Sequence, residues 1–338
     1  MHKHISVDET AILPTNFIDS IFCKGLTEKT KLSFASSNSS FIEHMRKPLY
    51  YGFSSSSSDN ACTSPSYEGC SFTNPNHLTP YTDTTFTSCN FTNLVSDSDG
   101  GAIFCTGNRK LYIEECSFEE CISSSGHGGA IYVDGASSFT SKKTLFTNCN
   151  STNMRGGAIY FTSSRSVPFL FETSFISCYS RMTPDIPNSN DDGGSIFLYS
   201  TLSSESLLDI FESCRFIDSH CNGWGGGGYI HSDYMKLYCK SGLFASCNSA
   251  DAQGLGIHLH TAQANCLIQF CFCANALTSP EKTDVSFNRN GGSFSSSLLI
   301  HTFTNKNPAN SVKTCIEWTN YVSRNWPSLF VQLTVYRT

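Results

Sequence analysis

The feature that most constrains the fold is a repeated phrase of two glycines, a small residue, isoleucine and an aromatic residue, as in Gly128-Gly129-Ala130-Ile131-Tyr132. Faithful or altered copies begin at Gly100, Gly128, Gly156, Gly193, Gly227, Gly254 and Gly291. A second phrase, Phe-x-x-Cys, starts ten residues before three of these copies. Its phenylalanine recurs at Phe91, Phe118, Phe146, Phe175, Phe216, Phe244 and Phe272, in steps of 27, 28, 29, 41, 28 and 28 residues. A near-constant period in this range indicates a protein of stacked repeats.

Each repeat contains short apolar or β-branched runs separated by Ser, Asn, Gly and Asp, which favours strands and turns over helices. A unit of about 28 residues with several short strands fits one coil of a parallel β-helix. The sequence therefore predicts an all-β, right-handed parallel β-helix solenoid. Glycines at a sharp corner between strands have a structural role there, because a left-handed backbone costs other residues roughly 1–2 kcal/mol.

Alternation along the strand after the glycines predicts one buried and one outward column of side chains. The buried column comprises Ile103, Ile131, Ile159, Ile196, Ile230 and Ile257. The outward column contains a possible interaction strip of Tyr132, Tyr160, Phe197, His231 and His258. Such a strip could stack on sugar rings, but aromatic ladders also stabilise a sheet by packing between strands, and we favour that structural role.

Three segments are expected along the chain. Residues 1–61 form an N-terminal cap or degenerate coils, residues 62–300 form the repeats, and residues 301–338 form a C-terminal coil and cap, with Trp318 and Trp326 closing the end. The step of 41 residues contains two insertions, one within residues 181–192 and one near residues 202–205. Loops that project from a solenoid are frequent binding sites, although tolerated drift is the simpler interpretation.

Composition excludes some partners. The formal net charge is −6 and only 15% of residues are charged, so we expect no nucleic-acid partner. No apolar run approaches the ~20 residues of a transmembrane helix. The first residues contain no apolar stretch typical of a secretory signal, so the sequence gives no compartment directly.

The 17 cysteines fall largely into two columns. Cys121, Cys149, Cys178 and Cys247 follow the phenylalanine by three residues, and Cys89, Cys116 and Cys214 precede it by two. Three states remain open: a reduced internal ladder, some disulfides, or a metal site. Cys266, Cys271 and Cys273 with His258 or His260 lack a recognised zinc spacing. We favour the reduced ladder and expect no metal and no cofactor.

The two repeated phrases resemble the Gly-Gly-Ala-Ile and Phe-x-x-Asn repeats of chlamydial polymorphic outer membrane proteins and of surface protein families of trichomonads. Here cysteine mostly replaces the asparagine, with Asn275 in the last unit. The resemblance covers roughly residues 86–300. It implies a right-handed β-helix of the pectin-lyase-like shape, displayed at a cell surface or secreted, with a role in adhesion or as a scaffold.

An enzymatic function has to be weighed, because pectin-degrading enzymes share this scaffold. Gly126-His127-Gly128 and Asp191-Asp192 resemble two polygalacturonase motifs, but they occur in reverse order and no Arg-Ile-Lys is present. Glycoside hydrolysis needs two carboxylates at a defined separation, and no recurring pair meets that need. We expect a non-enzymatic surface or scaffold protein that contacts an unknown protein or glycan through its long side. The alternative is a degenerate or divergent polysaccharide-active enzyme.

Overall fold

The computed structural model describes residues 31–34, 62–73, 77–152, 154–180, 191–202, 204–232, 235–240, 242–250, 254–261, 266–274, 285–289, 294–301 and 333–336. Parallel strands stack into a β-solenoid of about five turns with a repeat of about 28 residues, as predicted. A seven-stranded sheet, here called the isoleucine sheet, follows the glycine corners. Its strands are Ile103–Thr106, Ile131–Asp134, Ile159–Ser163, Ile196–Ser200, Gly228–Ser232, Ile257–Thr261 and Val285–Arg289.

The second sheet has 17 strands in two ladders and is here called the two-ladder sheet. The first ladder comprises Ser66–Glu68, Thr84–Thr87, Lys110–Glu114, Ser138–Lys142, Pro168–Phe171, Ser204–Glu212 and Met235–Lys240. The second comprises Ser71–Phe72, Asn90–Thr92, Ser117–Glu119, Leu145–Thr147, Ser174–Ile176, Arg215–Ile217 and Leu243–Ala245. Cys266–Ala274 and Phe294–His301 run through both ladders, and Cys62–Thr63 pairs antiparallel with the first strand.

The third sheet has six two-residue strands and is here called the short-strand sheet. These are Val95–Ser96, Ile122–Ser123, Asn150–Ser151, Tyr179–Ser180, His220–Cys221 and Asn248–Ser249. Lys31–Phe34 and Leu333–Tyr336 form a separate antiparallel pair. The segment of residues 181–190, Trp318, Trp326 and most of the two expected caps lie outside the described residues.

Each coil turns through left-handed residues at three corners. The corner before the isoleucine sheet uses glycine, for example Gly128 with φ of 65°. The other two corners use polar residues, for example Lys143 with φ of 46° and Asn148 with φ of 52°. A Cβ at Gly128 would overlap the carbonyl of Ile131, and one at Gly129 would overlap the carbonyl of Gly157 in the next coil. At the glycine corner, larger residues are therefore excluded by overlap with neighbouring atoms as well as by the left-handed backbone.

The core packs two stacks of side chains against each other. Phe72, Phe91, Phe118, Phe146, Phe175, Phe216 and Phe244 stack ring on ring with centroid separations of 4.4 to 5.0 Å. This matches the ~4.8 Å between neighbouring strands. Opposite them, Ile103, Ile131, Ile159 and Ile196 pair in register and are at most 2% exposed.

The structure corrects the predicted register at three places. Gly228, and not Ile230, pairs with Ile196, so Ile230 stands in the next buried column beside Leu198 and Leu259. Phe272 pairs with Leu243, one position before the phenylalanine stack. The last strand of the isoleucine sheet is Val285–Arg289, whereas Phe294, expected there after Gly291-Gly292, begins a strand of the two-ladder sheet.

Buried thiols line both non-glycine corners, as the two predicted columns. The Sγ atoms of Cys121, Cys149 and Cys178 lie 3.6 to 3.7 Å from the carbonyl oxygen of the phenylalanine one coil earlier. Thr144 replaces cysteine in the other column and donates to the carbonyl of Lys142 at 2.8 Å. The columns thus select a small side chain with a donor. Nine described cysteines, all buried, are free thiols (Cys89, Cys105, Cys116, Cys121, Cys149, Cys178, Cys214, Cys221 and Cys247), and Cys70 is disulfide-bonded.

Candidate functional site

Stacked aromatic rings form a continuous column on the outward side of the isoleucine sheet. This aromatic column comprises Phe104, Tyr132, Tyr160, Phe197, Tyr229 and His258. Neighbouring centroids are 5.0 to 5.2 Å apart, and the ring planes differ by at most 10°. Four members of the predicted strip lie here, but His231 does not. The register places Tyr229 in the column and His231 two residues further along the strand, beside Tyr199 and His260.

The stacking decides which atoms the aromatic column presents. Parallel rings this close cover each other's faces, so ring edges and hydroxyl groups point outward. Burial also increases along the column. Phe104, Tyr132 and Tyr160 are half-buried, whereas Tyr229 is 6% exposed and His258 is fully buried. A sugar ring stacks on an aromatic face, so the arrangement agrees better with packing between strands than with a glycan-stacking strip.

A second layer of side chains comes from the residue before each corner glycine. This pre-glycine column comprises Asp99, His127, Arg155, Asp192 and Trp224. Its backbone forms a regular ladder, because Gly100, Gly128, Gly156 and Gly193 each donate to the carbonyl of the pre-glycine residue one coil later, at 2.9 to 3.1 Å. The glycine corner therefore fixes the position of each side chain in this layer.

Side chains of the pre-glycine column also accept from the backbone of the following coil. The His127 amide donates to Asp99 Oδ1 at 2.6 Å, and the Arg155 amide donates to His127 Nδ1 at 3.2 Å. The Trp224 amide donates to Asp192 Oδ1 at 3.0 Å. His127 Nδ1 is thus an acceptor, which places the proton of the neutral imidazole on Nε2.

The pre-glycine column also packs on the aromatic column. The His127 ring lies 4.3 Å from that of Tyr160, and the Trp224 ring lies 4.9 Å from that of His258. The Arg155 guanidinium carbon is 4.8 Å from the Phe197 centroid, within the range of a cation–π contact. Arg155 Nε also lies 3.4 Å from Asp192 Oδ2, whose side chain is 6% exposed. The result is a double layer of aromatic, cationic and carboxylate groups on one side of the solenoid.

Burial controls the protonation of these groups. It lowers the pKa of His127, and the nearby Arg155 charge acts in the same direction while Asp99 opposes it. Burial lowers the pKa of His258 to about 3, with His260 and His231 adding to the effect. Burial also raises the pKa of Tyr132, Tyr160 and Tyr229. At neutral pH the histidines of the double layer are therefore neutral and the tyrosines carry their protons.

The structure brings together two motifs that sequence order had separated. His127 of Gly126-His127-Gly128 and Asp192 of Asp191-Asp192 stand in the same pre-glycine column, with Arg155 between them. Sequence reasoning missed Asp99, Arg155 and Trp224 as members of this site. The available signal was positional, because each directly precedes a corner glycine, but their chemical types differ too much to form a visible motif.

Among the described residues, no group of three His, Cys, Asp or Glu side chains is placed to hold a metal ion together. The described part of the chain also contains no helix of the length and apolarity needed to cross a membrane. Comparisons with protein-family models, with curated proteins and with solved structures return no match.

Proposed function

We propose that this chain is a non-enzymatic β-solenoid scaffold that contacts a partner through the outward side of its isoleucine sheet. The observation that carries the proposal is the double layer formed by the aromatic and pre-glycine columns. Its accessible members are the half-buried Phe104, Tyr132, Tyr160, His127, Arg155 and Trp224, which span five neighbouring coils, or about 19 Å at ~4.8 Å per strand. It displays Tyr, Trp and Arg, the residue types enriched where proteins bind one another.

The contacts within the double layer favour a preformed surface. His127, Asp99 and Asp192 are each held by a backbone amide of the next coil, and Arg155 is held between Asp192 and Phe197. Side chains already fixed in this way lose little conformational entropy when a partner binds. Because ring faces are covered and ring edges are presented, a protein partner fits this surface better than a glycan held by ring stacking.

The partner surface can be tested with two matched charge reversals. Asp134→Lys changes an exposed residue on the outward side of the isoleucine sheet, and Glu119→Lys changes an exposed residue on the two-ladder sheet. Immobilised wild-type protein and both variants are incubated with candidate proteins and with a glycan array, and bound species are quantified. We expect a protein ligand that is retained by wild type and by Glu119→Lys but lost with Asp134→Lys. Ligands that respond to Glu119→Lys alone would place the contact surface elsewhere.

A polysaccharide-active enzyme is the second candidate, and the proximity of His127, Arg155 and Asp192 is what favours it. Their contacts count against it. The Asp192 carboxylate accepts from Trp224 N and pairs with Arg155, and it is 4% exposed as a residue, which leaves little access for a substrate. An acid–base mechanism requires groups within hydrogen-bond reach of the substrate.

The enzymatic alternative is tested by release of reducing ends and by absorbance of unsaturated products. The assay uses polygalacturonate and pectin at high protein concentration, with and without Ca²⁺. We expect no turnover. Turnover that disappears in both His127→Ala and Asp192→Ala would establish the enzyme and reject the scaffold proposal.

A further inference from the structure

Cys70, Cys89 and Cys116 occupy the same corner position on three successive coils. The residues that follow them are register partners, with Ser71 beside Asn90 and Asn90 beside Ser117. The Asn90 amide donates to the Cys70 carbonyl at 2.7 Å, and the Ser117 amide donates to the Cys89 carbonyl at 2.9 Å. All three cysteines are at most 1% exposed. Their sulfur atoms therefore belong to one buried column.

The three side chains also point in the same direction. Each Sγ atom lies 3.3 to 3.5 Å from the carbonyl oxygen two residues earlier in its own coil. Cys116 Sγ accepts from the Cys89 amide at 3.3 Å. Cys89 Sγ lies 3.4 Å from the carbonyl oxygen of Tyr67, which is on the coil of Cys70. Equivalent positions on neighbouring coils are ~4.8 Å apart, within the range of Cα separations that a disulfide accepts.

The members of this column differ in oxidation state. Cys70 is disulfide-bonded, whereas Cys89 and Cys116 are free thiols. The cysteine joined to Cys70, here called the leaving cysteine, is not one of the nine described free thiols. On the next coil Thr144 takes the column position, so this run of sulfur atoms ends at Cys116. A disulfide and a free thiol on adjacent coils are the two reactants of thiol–disulfide exchange.

We propose that Cys70, Cys89 and Cys116 form an internal thiol–disulfide exchange site in which Cys89 is the nucleophile. The Cys89 sulfur, as its thiolate, attacks the Cys70 sulfur. A bond forms between these two sulfurs while the bond between Cys70 and the leaving cysteine breaks. The leaving cysteine departs as a thiolate and takes up a proton in place of the one that Cys89 lost. One disulfide forms for each one broken, so the step needs no oxidant or reductant.

The surroundings of Cys89 distinguish it from other buried thiols. The hydrogen bond from the Cys116 thiol lowers the pKa of Cys89, against the opposing effect of burial. Burial instead raises the pKa of Cys149 and Cys178 well above the ordinary value. Since the thiolate is the attacking form, Cys89 combines a stabilised thiolate with a disulfide one coil away. Cys116 acts through Cys89 and is a positioning residue.

The exchange changes which parts of the chain the disulfide joins. After it, the bridge ties together the two neighbouring coils that carry Cys70 and Cys89, and the leaving cysteine is a thiol. The strand ladder already aligns these coils, so the new bridge needs rotation of side chains and no change of register. The site could thus move a disulfide within the folded protein.

The test follows the Cys70 disulfide in native full-length protein, kept anaerobic with a chelator so that no thiol is oxidised. Samples are incubated at pH 8 with and without iodoacetamide, which alkylates an accessible leaving cysteine and prevents the reverse step. Acid quenching, blocking with N-ethylmaleimide and mass spectrometry then identify the bridged peptides. The variant Cys89→Thr carries the residue found in the same column at Thr144. The control Cys149→Ser carries the residue found in the other cysteine column at Ser219.

We expect Cys70–Cys89 to be the first new bridge in wild type and in Cys149→Ser, with no change in the thiol count of the sample without iodoacetamide. Oxidation would instead remove two thiols for each new bridge. In Cys89→Thr, Cys70 should keep its original partner. The wild-type result does not depend on the folding of any variant. The proposal would be overturned if Cys70 in wild type kept its partner in both samples, if thiols were lost as the bridge formed, or if Cys70 bridged another thiol as early as Cys89.

Discussion

At the scale of single residues, the second glycine of the first five glycine corners is limited by space and not by its backbone angle, whereas Leu255 takes this position in the corner at Gly254. Gly129 has no left-handed φ, yet a Cβ there would overlap the carbonyl of Gly157 and the backbone of Asn150. Gly135 has a φ of 72°, but its nearest neighbour to a Cβ is the Arg165 guanidinium at 3.6 Å. Alanine therefore overlaps a fixed backbone at Gly129 and makes only ordinary van der Waals contacts at Gly135.

We predict that Gly129→Ala lowers the free energy of unfolding by about 3 kcal/mol, because neighbouring coils must separate to admit the methyl group. Gly135→Ala, the matched control, should cost only ~1–2 kcal/mol for its left-handed backbone. Chemical denaturation of both variants measures the difference. Equal losses of stability would mean that the backbone of the neighbouring coil does not exclude a methyl group at position 129.

His127 makes stability depend on pH. Its folded pKa lies below the usual value, so folding favours the neutral ring that accepts from the Arg155 amide. This contribution is complete above the unfolded pKa of about 6.5 and is lost as the pH falls through it towards the lower folded pKa. We predict that the free energy of unfolding drops more between pH 7 and pH 5 in wild type than in His127→Gln. An amide oxygen can replace the acceptor without titrating, so identical pH profiles would contradict the assigned role.

At the scale of the strand, alternation predicts the buried isoleucine column over four coils. Ile131 is fully buried between Ile103 and Ile159, whereas Thr162 points outward from the strand that follows and is half-buried. We predict that Ile131→Asp lowers the free energy of unfolding by several kcal/mol, because it buries a charge without a partner. Thr162→Asp should cost less than about 1 kcal/mol, as most surface substitutions do. Thermal and denaturant unfolding compare the two; similar costs would refute the assignment of the faces.

The sequence pattern of the strands does not predict the register where the position of the glycine phrase is ambiguous. The four glycines from Gly225 to Gly228 contain three possible corner pairs. The pair that best matches the repeated phrase, in Gly227-Gly228-Tyr229-Ile230, is not the pair that forms the corner. The structure uses Gly225, with φ of 74°, so Tyr229 joins the aromatic column and His231 leaves it. Four successive glycines carry no side-chain alternation, and only pairing with Ile196–Ser200 resolves the register.

The non-glycine corners escaped prediction for a related reason. Serine, glutamate, lysine and asparagine all occupy left-handed positions before the cysteine columns, for example Glu120 and Asn148. No common residue type marks them. The buried cysteine that follows most of them was visible in the sequence, and it indicated a column without indicating a corner. The pre-glycine column could not be predicted for the same reason, because its members occupy equivalent positions in the repeat but have chemically different side chains.

At the scale of the whole molecule, the period of the repeat was sufficient to predict a parallel solenoid, because only stacked coils place residues 28 apart at one strand spacing. The period carries no information about function. The same coils that align His127 with Asp192 use both for contacts between coils, so a site-like cluster can arise from repetition alone. Function has to be argued from what the outward surface presents.

The burial of the cysteines along the whole solenoid predicts how their thiols react with an alkylating reagent. Burial raises the pKa of Cys149, Cys178 and Cys221 well above the ordinary value and that of Cys105 to about 11, so thiolate is scarce at these four positions. The hydrogen bond from Cys116 lowers the pKa of Cys89, but all nine free thiols are buried and therefore shielded from a reagent in solution. We predict that the nine buried free cysteines resist iodoacetamide in the native protein and are alkylated after denaturation without reductant. Cys70 should require reductant first. A Cys121–Cys149 bridge in native material, detected by mass spectrometry, would contradict this.

The central claim is the register of the coils, since this register builds both the core and the double layer. Methyl NMR on protein labelled at isoleucine and leucine methyl groups tests it most directly, because side chains on neighbouring strands lie about 5 Å apart. The fold predicts an unbroken chain of contacts from Ile103 through Ile131 and Ile159 to Ile196, with Ile230 joined to Leu198 and Leu259. An Ile131 methyl without contacts to Ile103 and Ile159, or an Ile230 methyl without contacts to either leucine, would contradict it.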